Sequence, residues 1–309
     1  MSTKVTYSRF IELIGFDRKR KIIRSIPDTI CFRKGMRRRE TKKIINRYKN
    51  AFGIVSCHNV HRKANSKYCK FWCNCYKDPE LYFGSKPSVL LSESDFVDSI
   101  FIQVYERKLK KYDFYYFTSG GKAGVEYKGM DFFLSSLPVL CGEFGLNGIV
   151  IKYQKQQKPF DRETRTILKR YKKNIRIKEG RQTPQYVAKI MSKCKFGFFP
   201  NKLDCSPLLM AESLVRNCPI LVNESISGGW KYVNEETGSF CNLFDLPEKV
   251  EFILNKKFSP GNYWKENYGY KKTSQKLCEF GKKYIEQFKK FQFVGFQGTH
   301  DKMMRSIKC

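Results

Sequence analysis

The sequence predicts an α/β protein whose larger part is a parallel, doubly wound sheet. Three observations carry that prediction. Short apolar runs of strand length recur at Tyr112–Phe117, Gly148–Tyr153, Ile175–Ile177, Phe196–Phe199 and Ile220–Val222. Segments with helical signals separate them, at Gly129–Leu140, Arg162–Lys173, Pro184–Ser192 and onward from Ser206. The breakers fall between these elements: Pro200-Asn201 ends one run, and Cys218-Pro219 precedes another. Strands that alternate with helices pair in parallel, because each helix carries the chain back to the edge where the next strand starts.

The N-terminal elements are shorter. Residues 1–26 read as KVTYSRFIELIGF followed by a basic helical stretch that Pro27-Asp28 ends. Arg37 to Lys49 places Ile44, Ile45 and Tyr48 at helical spacing among basic residues, which predicts an amphipathic helix. Phe52–Cys57 and Ser88–Ser92 read as buried strands, so this part is a small alternating α/β unit. The aromatic, basic and cysteine-rich stretch 62–84 between them has no assigned structure. After the main sheet, Lys265 to Gln292 reads as a basic helix with Leu277, Phe280, Tyr284, Phe288 and Phe291 as its apolar stripe. The domain reading is therefore 1–110, 111–262 and a C-terminal helical segment 263–309.

A chain of 309 residues with 41% hydrophobic and 29% charged side chains suits folded domains and not disorder. No apolar stretch reaches the length of a membrane span, and MSTKVTYSRF lacks the apolar core of a signal peptide, so a cytoplasmic location is expected. Lys and Arg number 60 against 29 Asp and Glu, a formal charge of +31 spread over both halves. Such an excess points to anionic substrates, to polyanions, or to peripheral contact with the anionic cytoplasmic face of a membrane. Of the twelve cysteines, Cys31, Cys141, Cys194, Cys218 and Cys278 read as small core residues. His58, His61, Cys69, Cys73 and Cys75 could ligate a soft metal, but their spacing matches no common zinc pattern, and no metal site is assigned.

In doubly wound sheets the ligand sits beyond the carboxyl ends of the strands. The loops to watch follow Phe117, Phe199 and Asn223. The second opens the segment from Phe196 to Asn223, FGFFPNKLDCSPLLMAESLVRNCPILVN, in which Ser206 reads as a helix N-cap and Pro207 as the first helical residue. A helix start, here Ser206 to Leu208 with Pro207 setting the backbone angle, presents unpaired N–H groups to an anion, and the carboxylates of Asp204 and Glu212 can accept from hydroxyls. Phosphate and hydroxyls together describe a nucleotide sugar. The loop after Phe117, TSGGKAGVEYKG, carries Gly121, Lys122, Lys128 and Gly129; its glycines admit a phosphate closely and its two ammonium groups can neutralise a diphosphate. The loop after Asn223 contains Gly228-Gly229.

These motifs resemble the retaining GT-B glycosyltransferases of family four over residues 112–245. Asp204 and Glu212, with seven residues between them, are similar to that family's Glu-x7-Glu, with Asp in the first place. The resemblance implies two Rossmann-like domains with parallel doubly wound sheets, the N-terminal one small, and a final helix that returns to it. It implies that Asp204 meets the donor sugar and Glu212 the ribose, and that Lys122, in the place of the family's Arg, and Lys128 sit on the diphosphate. Gly121, Gly129, Ser206, Pro207, Leu208, Gly228 and Gly229 would line the donor. The expected partners are a nucleotide diphosphate sugar and an unidentified acceptor, whether glycan, lipid or protein, with no cofactor, no metal and no specific nucleic acid. The chain agrees in lacking an Asp-x-Asp pair. Two other readings stay open on sequence: a basic nucleic-acid-binding protein that uses Phe71, Trp72, Tyr76 and Tyr82 as stacking rings, and a GT-B relative that binds donor without turnover.

Overall fold

The computed structural model describes residues 70–98, 111–118, 127–152, 160–180 and 182–285, with short strands at 16–17, 22–25, 29–33, 50–54, 292–294 and 306–308. The chain divides into two units, residues 1–102 with 267–309, and residues 103–266.

In the first unit, β1 (Phe16–Asp17), β2 (Ile22–Ser25), β3 (Thr29–Arg33), β4 (Asn50–Ile54), β5 (Phe71–Asn74) and β6 (Ser88–Leu90) lie side by side in chain order. The first three pair antiparallel and the rest parallel. This corrects the basic helix read before Ile26. Ile22 and Ile23 are β-branched, lose rotamer freedom in a helix and gain cross-strand partners in Phe32 and Cys31. The unassigned stretch 62–84 supplies β5 and a short helix α1 (Glu80–Phe83). Among its described aromatics Phe71, Trp72, Tyr76 and Phe83 are core and Tyr82 is half-buried: Phe71 stacks on Phe52 at 4.9 Å, Trp72 on Phe83 at 5.3 Å, and Tyr76 on Tyr82 at 3.7 Å. Phe71, Trp72 and Tyr76 are buried, so they present no faces for nucleobases.

The second unit holds β7 (Tyr112–Thr118), β8 (Gly148–Lys152), β9 (Ile175–Glu179), β10 (Cys194–Phe199), β11 (Ile220–Asn223) and β12 (Gly238–Cys241). Their order is β12-β11-β10-β7-β8-β9, and every pairing is parallel. The connecting helices are α2 (Met130–Leu137), α3 (Arg162–Arg170), α4 (Pro184–Ser192), α5 (Leu208–Val215), α6 (Leu246–Asn255) and α7 (Pro260–Asn267). From β7 the chain winds outward to β9, then returns to β10 beside β7 and winds the other way. That neighbouring pair is the switch point, where the loops leaving the strands diverge and open a crevice. Phe114, Tyr116, Phe133, Val150, Phe196 and Leu221 fill the core on one face, with Tyr116 stacked on Phe133 at 4.3 Å. Helix α2 is shorter than its sequence suggests and widens into a π-helical turn over Pro138–Glu143. Pro138 has no N–H to continue the i→i−4 ladder.

Helix α8 (Tyr270–Lys282) belongs to the first unit. There the Thr273 hydroxyl donates to the Asp95 carbonyl at 2.8 Å, and Phe280 meets Phe71 edge to face at 5.4 Å. The single helix read over Lys265–Gln292 is thus two helices broken at Gly269, whose φ of 95° and ψ of 166° no helix contains. Residues 292–294 form β13, paired with β14 (Ser306–Lys308). Phe288, Phe291 and the helix read over Arg37–Lys49 lie outside the described residues. Cys141, Cys194, Cys218 and Cys278 are buried, as read, and Cys278 is disulfide-bonded.

Candidate functional site

Between the carboxyl ends of β7 and β10 lies a cavity of about 250 Å³. Phe117, Lys128, Phe199, Asn201, Asp204 and the run Ser206–Leu209 line it. Two of the three loops singled out from sequence therefore meet at one place.

Lys128 enters from the loop between β7 and α2. The Tyr116 hydroxyl donates to its carbonyl at 2.8 Å, which ties the end of that loop to the sheet. Gly129 follows as the cap of α2, with φ of 63° and ψ of 42°. A Cβ there would stand 1.8 Å from the Pro200 carbonyl oxygen, so glycine is required both for its left-handed backbone and for the close approach of the β10 loop. Across the cavity, Lys128 Nζ meets Asp204 Oδ2 at 2.8 Å. The same oxygen accepts from Asn201 Nδ2 at 3.1 Å, and Oδ1 accepts from the Ser206 N–H at 3.3 Å. Asp204 is thus oriented by three donors. Its side chain is 14% exposed against 30% for Lys128, so the ammonium is the more open of the two.

A second ion pair joins the loops, Lys202 Nζ to Asp131 Oδ2 at 2.6 Å. Burial pushes the Asp131 carboxyl up, but hydrogen bonds from Lys202 and the Phe132 N–H outweigh it and hold the group below its ordinary range. The loop after β11 does not line the cavity; it braces the Asp204 loop from behind. Ser227 donates from both its N–H and its hydroxyl to the Lys202 carbonyl, each at 2.9 Å. A Cβ on Gly228 would stand 2.4 Å from the Cys205 carbonyl oxygen, and one on Gly229 2.4 Å from Pro207 Cγ.

Helix α5 starts at Leu208 with Pro207 as its cap and no side chain bonded to its first turn, which corrects the reading of Ser206 as N-cap. The Ser206 N–H faces Asp204, and its carbonyl accepts from the Leu208 N–H at 2.9 Å. One turn closed by the Asp204 side chain and one closed by the backbone therefore precede the helix proper. Glu212 points elsewhere: its Oε2 lies 3.4 Å from Arg216 Nη1, and its carbonyl accepts from the same nitrogen at 2.9 Å. Burial raises the Glu212 carboxyl above its ordinary range, with Arg216 opposing the shift. Glu212 is not among the residues that line the cavity.

Sequence reasoning overlooked Asn201, which orients Asp204, and Phe117 and Phe199, which form the apolar floor. Their signal was present, since each stands at or just after the end of a strand already assigned. Lys152 at the end of β8 was also overlooked. It is 1% exposed, lies 4.2 Å from the Phe160 ring centroid and pairs with Glu179 at 3.2 Å. Gly121 and Lys122 lie outside the described residues, as do His58, His61 and Cys69; Cys73 and Cys75 are buried. Among the described residues no group of three or more His, Cys, Asp or Glu could hold a metal ion, and no helix is long and apolar enough to cross a membrane.

No protein-family model and no curated protein matches this sequence. Solved structures do match. Sucrose-phosphate synthase from Thermosynechococcus elongatus superposes with a TM-score of 0.63 at 9% identity, over 84% of this chain and 74% of that one. The lipopolysaccharide outer core galactosyltransferase WaaB, in its apo form, gives 0.62 at 11%, over 84% and 76%. Anabaena HepE in complex with UDP-glucose gives 0.59 at 8%, over 79% and 82%. The chain spans 54% of the length of another such structure, TarM, at a TM-score of 0.62 and 12% identity. The fold of this protein is the GT-B-like fold of these structures.

Proposed function

We propose that this protein is a GT-B glycosyltransferase that moves a sugar from a nucleotide diphosphate donor to an acceptor, with retention of configuration and without a metal ion, as in family four. The observation that carries the reading is the Lys128–Asp204 pair at the switch point, beside the start of α5 and in a cavity floored by Phe117 and Phe199. A cation and an oriented carboxylate at the carboxyl edge of a doubly wound sheet suit a ligand that carries phosphate at one place and hydroxyls at the next. Several similar structures are glycosyltransferases, and HepE was solved with UDP-glucose, which makes UDP the first nucleotide to test.

In this reading the difficult event is departure of the nucleoside diphosphate. Lys128, with Lys122 from the same loop, stabilises the charge that develops on the leaving phosphate. A charge-assisted hydrogen bond of this kind contributes about 1.5–3 kcal/mol, and about 1.4 kcal/mol is already tenfold in rate. Asp204 is held where it can accept from a sugar hydroxyl, and Lys128 exchanges it for phosphate when donor arrives. Gly129, Gly228 and Gly229 act by allowing the three loops to close on one another. Glu212 reaches a ribose only if its carboxylate turns from Arg216. The acceptor, and the cytoplasmic and membrane-peripheral location, belong to the same proposal.

Thermal-shift and calorimetric titrations with UDP, GDP, ADP and their sugar conjugates test it. One of these nucleotides is expected to stabilise the protein, and Lys128→Ala to remove most of the effect. Wild-type protein indifferent to all of them would overturn the donor-site assignment.

A further inference from the structure

The amino ends of the strands in the second unit form an edge opposite the cavity, and that edge is cationic across five strands. Two hollows open along it. One, of about 430 Å³ where β7, β8 and β9 begin, has Lys111, Lys172, Lys173 and Arg176 in its wall. The other, of about 400 Å³ where β10 and β11 begin, has Lys195 and, from the end of α6, Lys256 and Lys257. The Lys111 N–H donates to the Lys193 carbonyl at 2.9 Å, so the rim between the hollows is continuous.

No carboxylate is among the residues that line either hollow. Asp113, at the start of β7, is engaged by Lys195 at 2.8 Å and by the Asn147 N–H at 2.8 Å. Glu235 stands 3.9 Å from Lys256 but is 95% exposed, where water screens it. The bland account of such lysines is that they complement a helix dipole. It suffices for Lys169 and Arg170 in the last turn of α3. Lys172, Lys173 and Arg176 lie beyond that turn, all exposed, and it does not explain them.

We propose that this rim docks the protein on an anionic membrane, with lipid phosphates as the ligand. Width decides against a single free phosphate. Five neighbouring strands span about 19 Å at the usual spacing, many times the size of one ion. Each exposed cation holds a lone ion only weakly, but near an anionic bilayer each Lys or Arg adds roughly fivefold in affinity and all act together. A single-stranded nucleic acid would need stacking rings. The aromatic side chains in these walls are Tyr112, half-buried with Lys111 over its ring, and Phe258, which is buried. This inference names the surface for the membrane-peripheral location proposed above, and it does not depend on what the cavity at the opposite edge binds.

The test is co-sedimentation of the full chain with phosphatidylcholine vesicles, with and without phosphatidylglycerol, at several salt concentrations. Binding to the anionic vesicles alone is expected, weakening as salt rises. Joint substitution of Lys172→Glu, Lys173→Glu and Arg176→Glu should lower affinity at least about a hundredfold. A control with Arg162→Glu, Arg165→Glu and Lys178→Glu changes the net charge equally and should lose less than about fivefold, because those exposed residues of the same unit stand in the first turn of α3 and near the carboxyl end of β9, away from the rim. Circular dichroism checks that each variant folds. If the rim triple does not, Lys172→Glu and Lys173→Glu singly should each cost about fivefold or more. Absence of binding, equal binding to neutral vesicles, or equal losses in the two triples would overturn the proposal. So would release by millimolar inorganic phosphate, which would mark a single-ion site, or tighter rim-dependent binding to RNA or duplex DNA at matched salt.

Discussion

Lys128 and Asp204 lie 76 positions apart in the chain and 2.8 Å apart in the fold. One follows β7 and the other follows β10, so the parallel pairing of those two strands brings them together. The ion pair satisfies both charges.

The pair should be measurable as a coupling. A double-mutant cycle of Lys128→Ala and Asp204→Asn, read by urea unfolding, is expected to give about 1 kcal/mol, as befits a partly exposed pair. A coupling near zero would mean that the two groups do not hold each other in solution.

Binding should divide the two residues. Lys128→Ala is expected to weaken nucleoside diphosphate by about 1.5–3 kcal/mol. Asp204→Asn should leave it unchanged or tighten it by up to ~1 kcal/mol, since the ammonium loses a competitor, while sugar transfer falls. Asp204→Glu, which supplies the family's usual residue, should keep transfer within about tenfold. Equal weakening of nucleotide and intact donor by Asp204→Asn would remove Asp204 from the sugar.

Gly129→Ala tests the joint between the two loops. The left-handed backbone costs an alanine about 1–2 kcal/mol, and the clash with the Pro200 carbonyl adds about 1–3 kcal/mol of overpacking. A loss of about 3 kcal/mol in denaturant unfolding is expected, with donor binding impaired in whatever folds. An unperturbed variant would show that the loops stand further apart than the structure has them.

Glu212 should leave a mark on the pH dependence of stability. Burial raises its carboxyl in the folded state, so the folded protein holds that proton more tightly than the unfolded chain. Its contribution therefore favours folding below the ordinary Glu range and is lost as pH rises from there through the raised folded value. Glu212→Gln should flatten that fall in urea midpoints measured between ~pH 4 and ~pH 7. An identical slope in the variant would place the titration elsewhere.

If lysines do the work of a cation, donor binding and transfer should persist in excess EDTA. Loss restored by magnesium or manganese would contradict that role. Unfolding reversed by zinc would instead give His58, His61 and Cys69 a structural function.

The sequence by itself determined five of the six strands of the second sheet. The apolar runs from Tyr112 to Val222 recur as β7 to β11 because short apolar runs between helical segments have few alternatives, even in β9, where four of the five residues are exposed. It also marked Lys128, Gly129, Asp204 and the Gly228-Gly229 pair, since breakers and charges just beyond strand ends announce the carboxyl edge of such a sheet. Tertiary structure decided what local pattern left undetermined. Ile22 and Ile23 sit among basic residues that suit a helix, and pairing with β3 makes them a strand. Phe71 and Trp72 could have been stacking rings, and the packing of β4 and α1 on them makes them core. Whether Glu212 faced the cavity or Arg216 was a question of which way one turn of α5 points, and the whole edge of lysines opposite the cavity came from strand order. Periodicity records which residues are buried along an element; it carries no information about which element lies beside it, and ion pairs and charged edges are made of that adjacency.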